Sequence, residues 1–197
     1  QPPPVMMVTA QGIMKRISVD ELTGTPAGRP AIKLKPGDTI IAAFPAPDGA
    51  EVLAVASNAQ AMRCEVASVG VQGRGAAGVA GMKLSDGATV VGAGLAGSDA
   101  VVLTVSDAQT AKVTDAAEIP TKGRATAGVR ITRFRSEKRL EWAYVGPEQG
   151  LLVVVGTEES PSKPDPSPEP LTLPHTARDL VSKSTRRRFL AVGTGRW

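Results

Sequence analysis

The sequence predicts an all-β protein of the blade type, on three observations. A pattern of strands and turns recurs at about 50 residues, and each period holds about four short apolar runs. Of 197 residues, 21 are glycine and 16 are proline, whereas aromatics make up only 3%. Many short strands joined by turns use such a composition better than packed helices do, and a long repeat with several strands is the mark of a blade array.

Gln1-Pro-Pro-Pro4 has neither a basic start nor an apolar core. Residues 1–4 read as the end of a linker, so the chain is expected to be a piece of a longer polypeptide. The blades are expected over 5–157. The first copy opens with Val5-Met-Met-Val8, turns at Gln11-Gly12 and returns through Ile13-Met-Lys-Arg-Ile17, which brings out Lys15 and Arg16. Gly28-Arg29-Pro30 reads as a shortened Gly-Arg loop, followed by a strand at Ala31–Leu34, a turn at Pro36-Gly37 and a strand at Thr39–Phe44. The second copy starts at Glu51–Val55, turns at Ser57-Asn-Ala-Gln60 and places Arg63 where Arg16 fell. Leu84-Ser-Asp-Gly-Ala-Thr-Val-Val91 then matches Leu34-Lys-Pro-Gly-Asp-Thr-Ile-Ile41 at an offset of 50. In the third copy, Val101–Val105 is followed by Ser106-Asp-Ala-Gln109, which repeats the Ser57–Gln60 turn and sets Lys112 at the Arg63 position. Leu140–Val145 leaves that copy, and a fourth begins at Leu151–Val155 before the pattern breaks down.

The recurring feature is a loop, Gln72-Gly-Arg-Gly-Ala-Ala-Gly78 running on to Leu84, and Lys122-Gly-Arg-Ala-Thr-Ala-Gly128 running on to Phe134. Two glycines five apart around Arg74 or Arg124 predict a tight turn with positive φ and the arginine held outward at its tip. Residues 158–174 are rich in proline and cannot form a central strand, so they read as an extended surface loop or disorder. Residues 175–197 read as a closing segment with one last strand over Arg186–Val192 that covers an open edge.

The net charge of +4 is small, but its distribution is uneven. Lys122, Arg124, Arg130, Arg133, Arg135, Lys138 and Arg139 fall together with Glu137 as the sole acid, and their coincidence with the Gly-Arg loop points to anion binding. Lys33 and Lys83 alternate with apolar neighbours and read as solvating a strand face. Cys64 is the only cysteine, so no internal disulfide is possible and a reducing cytosol is compatible. It reads as a small buried hydrophobe. No apolar run approaches the roughly 20 residues of a membrane helix. His175 is the single histidine, so neither a Ser/His/Asp set nor a metal role is expected of it. Tyr144, the single tyrosine, lies in an apolar run and reads as structural. No Gly-x-Gly-x-x-Gly is present, and the 72–78 loop lacks the lysine and Ser/Thr that close a nucleotide phosphate loop. No catalysis and no cofactor are expected on this chain.

These loops and turns resemble the C-terminal domain of the A subunit of bacterial DNA gyrase and of its topoisomerase IV paralogue. The carriers are Gly12 to Arg16, Gly28-Arg29 with Ala31 to Asp38, Gln72 to Leu84 and Lys122 to Phe134. The resemblance implies a β-pinwheel of about four blades, a small or open ring of Greek-key blades that exchange strands. It implies that duplex DNA lies along a basic outer rim, bound without base reading by Lys15, Arg16, Arg29, Arg63, Arg74, Lys112, Lys122, Arg124, Arg130, Arg133 and Arg135. The gyrase members carry a glutamine- and glycine-containing basic box tied to DNA wrapping. Here Gln72, Gly73, Arg74, Gly75, Ala76, Ala77 and Gly78 stand at its positions. Gly73 and Ala77 replace its flanking basic residues, which points to a topoisomerase IV-like or divergent gyrase-like subunit. The implied partners are DNA, the rest of the A subunit and an ATPase B subunit, in a cytoplasmic, nucleoid-associated enzyme; the isolated domain is expected to be monomeric and without membrane contact. A propeller-like protein-interaction module, whose Gly-Arg loops are only turn chemistry, is the alternative reading, with a small-ligand enzyme as a third.

Overall fold

The computed structural model describes residues 1–24, 27–155, 168–185 and 187–194. Repeat 1 contains β1 (Val5–Thr9), β2 (Ile13–Ile17), the short helix α1 (Val19–Thr23) and β3 (Ile40–Pro45). Repeat 2 contains β4 (Glu51–Ala56), β5 (Gln60–Glu65), β6 (Val79–Ala80) and β7 (Val90–Leu95). Repeat 3 follows with β8 (Ala100–Ser106), β9 (Thr110–Asp115), β10 (Val129–Arg130) and β11 (Leu140–Pro147). Repeat 4 has β12 (Leu151–Val155), β13 (Pro168–Pro170), β14 (Lys183–Ser184) and β15 (Phe189–Thr194).

In space the repeats are interlocked. The blades are four antiparallel sheets of strand order β3-β1-β2-β6, β10-β5-β4-β7, β11-β8-β9-β14 and β13-β12-β15. The outermost strand of each of the first three blades therefore comes from the next repeat. This is a β-pinwheel, an all-β arrangement of four propeller-like blades with little helix. Each exchanged strand is only two residues long, shorter than the run of apolar residues after the Gly-Arg loop suggests. Ala31–Leu34, expected as a strand, forms none, and neither do the stretches 81–84 and 131–134 fifty and a hundred residues on, which hold only isolated bridges at Met82 and Arg133.

Core packing explains why the hairpin strands lack polar alternation. Val52, Ala54 and Ala56 of β4 pack on Met6, Val8 and Met14 of blade 1, while Leu53 and Val55 pack on Val102, Ile119 and Ile131 of blade 3. Both faces of the inner strands are buried, and so β1, β4 and β8 read as near-continuous apolar runs. On the far side of blade 3, Val101, Leu103 and Val105 pack on Leu151, with Leu171, Phe189 and Val192 at the margin. The face of blade 1 turned away from blade 2 is covered by Leu22 of α1 and by Ile32, which pack with Met7 and Ile17. The hub strands β3, β7, β11 and the end of β15 line one central depression. There Gly92 and Gly94 are required, since a Cβ at either would run into the carbonyl of Ala143 or Val145.

The Pro-rich segment ends in β13, an edge strand of blade 4. Leu171 N donates to Leu151 O at 3.1 Å, so the alternation turns Glu169 N toward β12 and leaves Pro168 and Pro170 outward. Residues 158–167 lie outside the described residues. The last strand, expected over Arg186–Val192, is β15, which begins three residues later and ends two residues later. No described helix is long and apolar enough to cross a membrane.

Candidate nucleic-acid interface

The Gly-Arg loops run along the outer edge of the pinwheel, opposite the hub strands, and backbone bonds fix each to the preceding blade at both ends. At the entry, Gln72 N donates to Arg16 O (2.9 Å), Lys122 N to Arg63 O (2.8 Å) and Thr176 N to Val113 O (2.8 Å). At the exit, Gly81 N donates to Gly12 O (2.9 Å), Ile131 N to Ala59 O (2.9 Å) and Thr185 N to Gln109 O (3.0 Å). Residues 175–185 are thus a further copy of the loop, which sequence reasoning missed. It lacks the Gly-Arg pair, and Arg178 stands where Arg74 and Arg124 stand.

The loops are also bonded to one another. Lys33 N donates to Ala76 O (3.2 Å), Lys83 N to Thr126 O (3.0 Å) and Arg133 N to Leu180 O (3.0 Å). In the opposite sense Arg74 Nη1 donates to Pro30 O (3.2 Å), Arg124 Nη1 to Ala80 O (2.7 Å) and Arg178 Nη1 to Arg130 O (3.2 Å). Arg74 adds Arg29 O and Arg124 adds Ser68 O. These bonds set Gly28 level with Gly78 and Gly128, all three at positive φ (+83°, +88° and +76°). Gly28-Arg29 therefore corresponds to Gly78-Val79 and not to Gly73-Arg74, which corrects the reading of Arg29 as a loop-tip arginine. Only the second glycine of each loop has positive φ; Gly73 and Gly123 do not. In the box, Gln72 Oε1 accepts from Gly78 N at 3.1 Å and so braces the turn. Gly73, Gly75 and Ala77 are exposed, and Ala76 is half-buried.

Three of the cations expected on the rim are interior. Lys15, Arg16 and Lys112 are 0%, 3% and 3% exposed. Lys15 Nζ donates to Ala31 O (2.7 Å), Arg74 O (3.0 Å) and Ala76 O (2.8 Å), gathering the carbonyls of two loops. Lys112 Nζ does the same for Arg178 O (3.0 Å) and Leu180 O (2.9 Å). Lys112 hence matches Lys15 and Met62, not Arg63. Burial lowers the pKa of both lysines, that of Lys112 to about 8. Arg16 donates to Val69 O (2.6 Å), Ala46 O (3.2 Å) and Asp48 Oδ1 (2.7 Å), joining blade 1 to the short turn of repeat 2. Arg63 repeats that joint on Glu51, Ala96 O and Ala116 O, and it is half-buried. Its hydrogen bond to Glu51, followed by that of Thr121, holds the Glu51 carboxyl below its usual range.

Arg74 and Arg124 are half-buried, and Arg29, Lys122, Arg130, Arg133 and Arg135 are exposed. Exposed Lys33, Lys35, Lys83 and Lys138 join them. Tyr144 is half-buried, with its hydroxyl donating to Pro147 O at 2.7 Å. Cys64 is buried among Met6, Val52 and Met62, and burial raises its thiol pKa. No group of His, Cys, Asp and Glu among the described residues is placed to hold a metal.

His175 anchors the start of the fourth loop. Nδ1 lies 2.7 Å from Asp115 Oδ1 and Nε2 lies 2.7 Å from Glu148 Oε2, so both nitrogens face carboxylates, the arrangement of an imidazolium. The Glu148 hydrogen bond is the largest cause of a raised pKa, against the ordinary 6.5. A raised folded-state pKa stabilises fully below the unfolded value and is lost as pH rises through the folded one. The thermal midpoint is expected to fall as pH climbs past 6.5, and His175→Gln to remove that component; a pH series of melting curves on both proteins checks it.

A family model described as the DNA gyrase C-terminal domain, beta-propeller, matches residues 3–47, 50–96 and 100–145. Among solved structures the chain is similar to the C-terminal domain of DNA topoisomerase IV, with a TM-score of 0.83 and 20% identity over 98% of this chain and 62% of that one. It is similar to the DNA gyrase A C-terminal domain at 0.77 and 19%, over 98% and 66%, and to the E. coli ParC C-terminal domain at 0.69 and 17%, over 97% and 80%. The chain thus spans less than two thirds of the first two. At these identities the likeness is one of fold. A comparison with curated proteins gave no match.

Proposed function

The chain belongs to the DNA gyrase C-terminal-domain β-propeller family, and from that premise we propose that it is the non-catalytic DNA-binding and DNA-bending domain of a bacterial type II topoisomerase A subunit. Cleavage chemistry and ATP hydrolysis belong to the rest of the A subunit and to its B subunit, in a cytoplasmic, nucleoid-associated enzyme. The observation that carries the reading is the repetition of exposed cations on successive outer loops: Arg29, Lys33 and Lys35, then Lys83, then Lys122, Arg130, Arg133 and Arg135. Such a margin meets phosphates without reading bases, and bending a duplex along it costs on the order of a few kcal/mol, offset by the added contacts. The loss of the box's flanking basic residues favours a topoisomerase IV-like or divergent gyrase-like subunit over a strongly wrapping gyrase. The isolated domain is read as a monomer, a reading supported by the outward prolines of β13, which offer no N–H to a further strand.

Fluorescence anisotropy with a random-sequence linear duplex tests this. Binding at low salt is expected, with affinity falling steeply as NaCl rises. A chain that ignores duplex DNA at low salt, or binds it independently of salt, is the protein-interaction module instead.

A further inference from the structure

We propose that the phosphates are held by a ladder of three side chains, Lys33, Lys83 and Arg133, while Arg74, Arg124 and Arg178 lock neighbouring loops together; this assignment rests on the DNA-binding reading. The sequence suggests the reverse. It puts the arginine of each Gly-Arg loop at an outward tip and leaves Lys33 and Lys83 to solvate a strand face.

Three observations support the ladder. First, the three residues occupy one structural position, because each backbone N–H reaches the same carbonyl of the following loop, that of Ala76, Thr126 or Leu180. A cation thereby recurs once per loop at a place fixed by the fold. Second, all three are exposed, and no side-chain hydrogen bond or ion pair engages them among the described residues. Third, the competing arginines are committed. Arg74, Arg124 and Arg178 are half-buried and donate to the carbonyls of Pro30, Ala80 and Arg130 on the preceding loop. A guanidinium tethered to the carbonyls of the preceding loop can offer a phosphate only its remaining N–H groups, and only where that tether points them. A free ammonium or guanidinium on a long stem is not so restricted. The ladder ends with repeat 4, where Arg187 stands at the corresponding position and is paired with Glu169 at 2.8 Å.

The test compares three forms of the whole chain: wild type, K33Q/K83Q/R133Q and R74Q/R124Q/R178Q. Each is titrated with a labelled random-sequence duplex over a NaCl series and melted without DNA. Each phosphate contact contributes roughly 0.9 to the slope of log K against log salt. The ladder variant is therefore expected to keep its melting temperature and to lose about 2.7 from the slope. The arginine variant is expected to melt lower, yet to keep close to the wild-type slope at a temperature where it is folded. Should it not fold, Arg178→Gln alone is measured beside the ladder variant. A ladder variant with the wild-type slope overturns the assignment and leaves the DNA reading standing. An arginine variant that loses slope at unchanged melting temperature does the same. A wild type that fails to bind removes the DNA reading and the ladder with it.

Discussion

Gly128→Val is expected to destabilise the protein by about 4 kcal/mol, the sum of a left-handed backbone forced on a β-branched residue and a steric conflict in a packed loop. Gly128 has a φ of +76°, and a Cβ there would run into the carbonyl oxygen of Ala61 on β5. The obstacle is backbone of the neighbouring blade, so it cannot rotate aside as a side chain can. Relief requires lifting the third loop off blade 2, which breaks the pairing of β10 with β5 and the bond from Ile131 N to Ala59 O. Gly123→Ala is the control: its φ is not positive and nothing lies within 4 Å of the added carbon. Urea unfolding of both variants decides the matter. A Gly128→Val loss below about 1 kcal/mol would mean that the loop is not threaded against blade 2 as described.

That contrast shows what the sequence could and could not convey about these loops. The repeat of glycine, arginine and glycine is visible at a constant offset, and so is the number of strands per period. Which of the two glycines carries the strain is not visible, because it depends on the next blade's backbone. The exchange of β6, β10 and β14 follows from the family resemblance and not from the residues themselves: two-residue strands leave no periodic pattern, and their partners are supplied by another repeat. The loop over 175–185 lacks the Gly-Arg pair altogether and is recognised only by its bonds to Val113, Gln109 and Arg133.

The rim cations were harder to read than the fold. Charge alone does not reveal where backbone carbonyls converge, and Lys15, Arg16 and Lys112 lie where they do. Lys112 carries a second lesson. Ser106-Asp-Ala-Gln109 matches Ser57-Asn-Ala-Gln60 at an offset of 49, and that match places Lys112 opposite Arg63. The true register is 50, since Ser57 N bonds to Thr89 O as Asp107 N bonds to Arg139 O, and positive φ falls at Ala59 and Gln109. In a strand a slip of one residue exchanges the two faces. Lys112 thus moves from the face of Arg63 to that of Met62 and Lys15.

The Met62 equivalence predicts a crossover in stability with pH. Burial is the largest influence on Lys112 and lowers its pKa from the ordinary 10.5 to about 8, partly opposed by Glu118 and Asp179. Between those values the unfolded chain holds a proton that the folded chain has released, so wild-type stability gains from this residue as pH rises. The gain across the whole window is about 3 kcal/mol. Methionine, as in blade 2, has no charge to desolvate. It does forfeit the bonds to Arg178 O and Leu180 O, but Leu180 O keeps Arg133 N and the Thr132 hydroxyl. The cost is then one carbonyl without a partner, about 2 kcal/mol. Lys112→Met is expected to be more stable than wild type by about 1 kcal/mol at pH 7 and less stable by about 2 kcal/mol at pH 10.5, with the two curves crossing in between. Lys15 shifts in the same direction as Lys112, and the raised Tyr144 and Cys64 act the other way, but these groups are common to both proteins and cancel in the difference. Denaturant midpoints of the two proteins from pH 7 to 10.5 would settle it. Parallel curves would mean that Lys112 keeps its proton inside the fold, held there by the loop carbonyls it gathers.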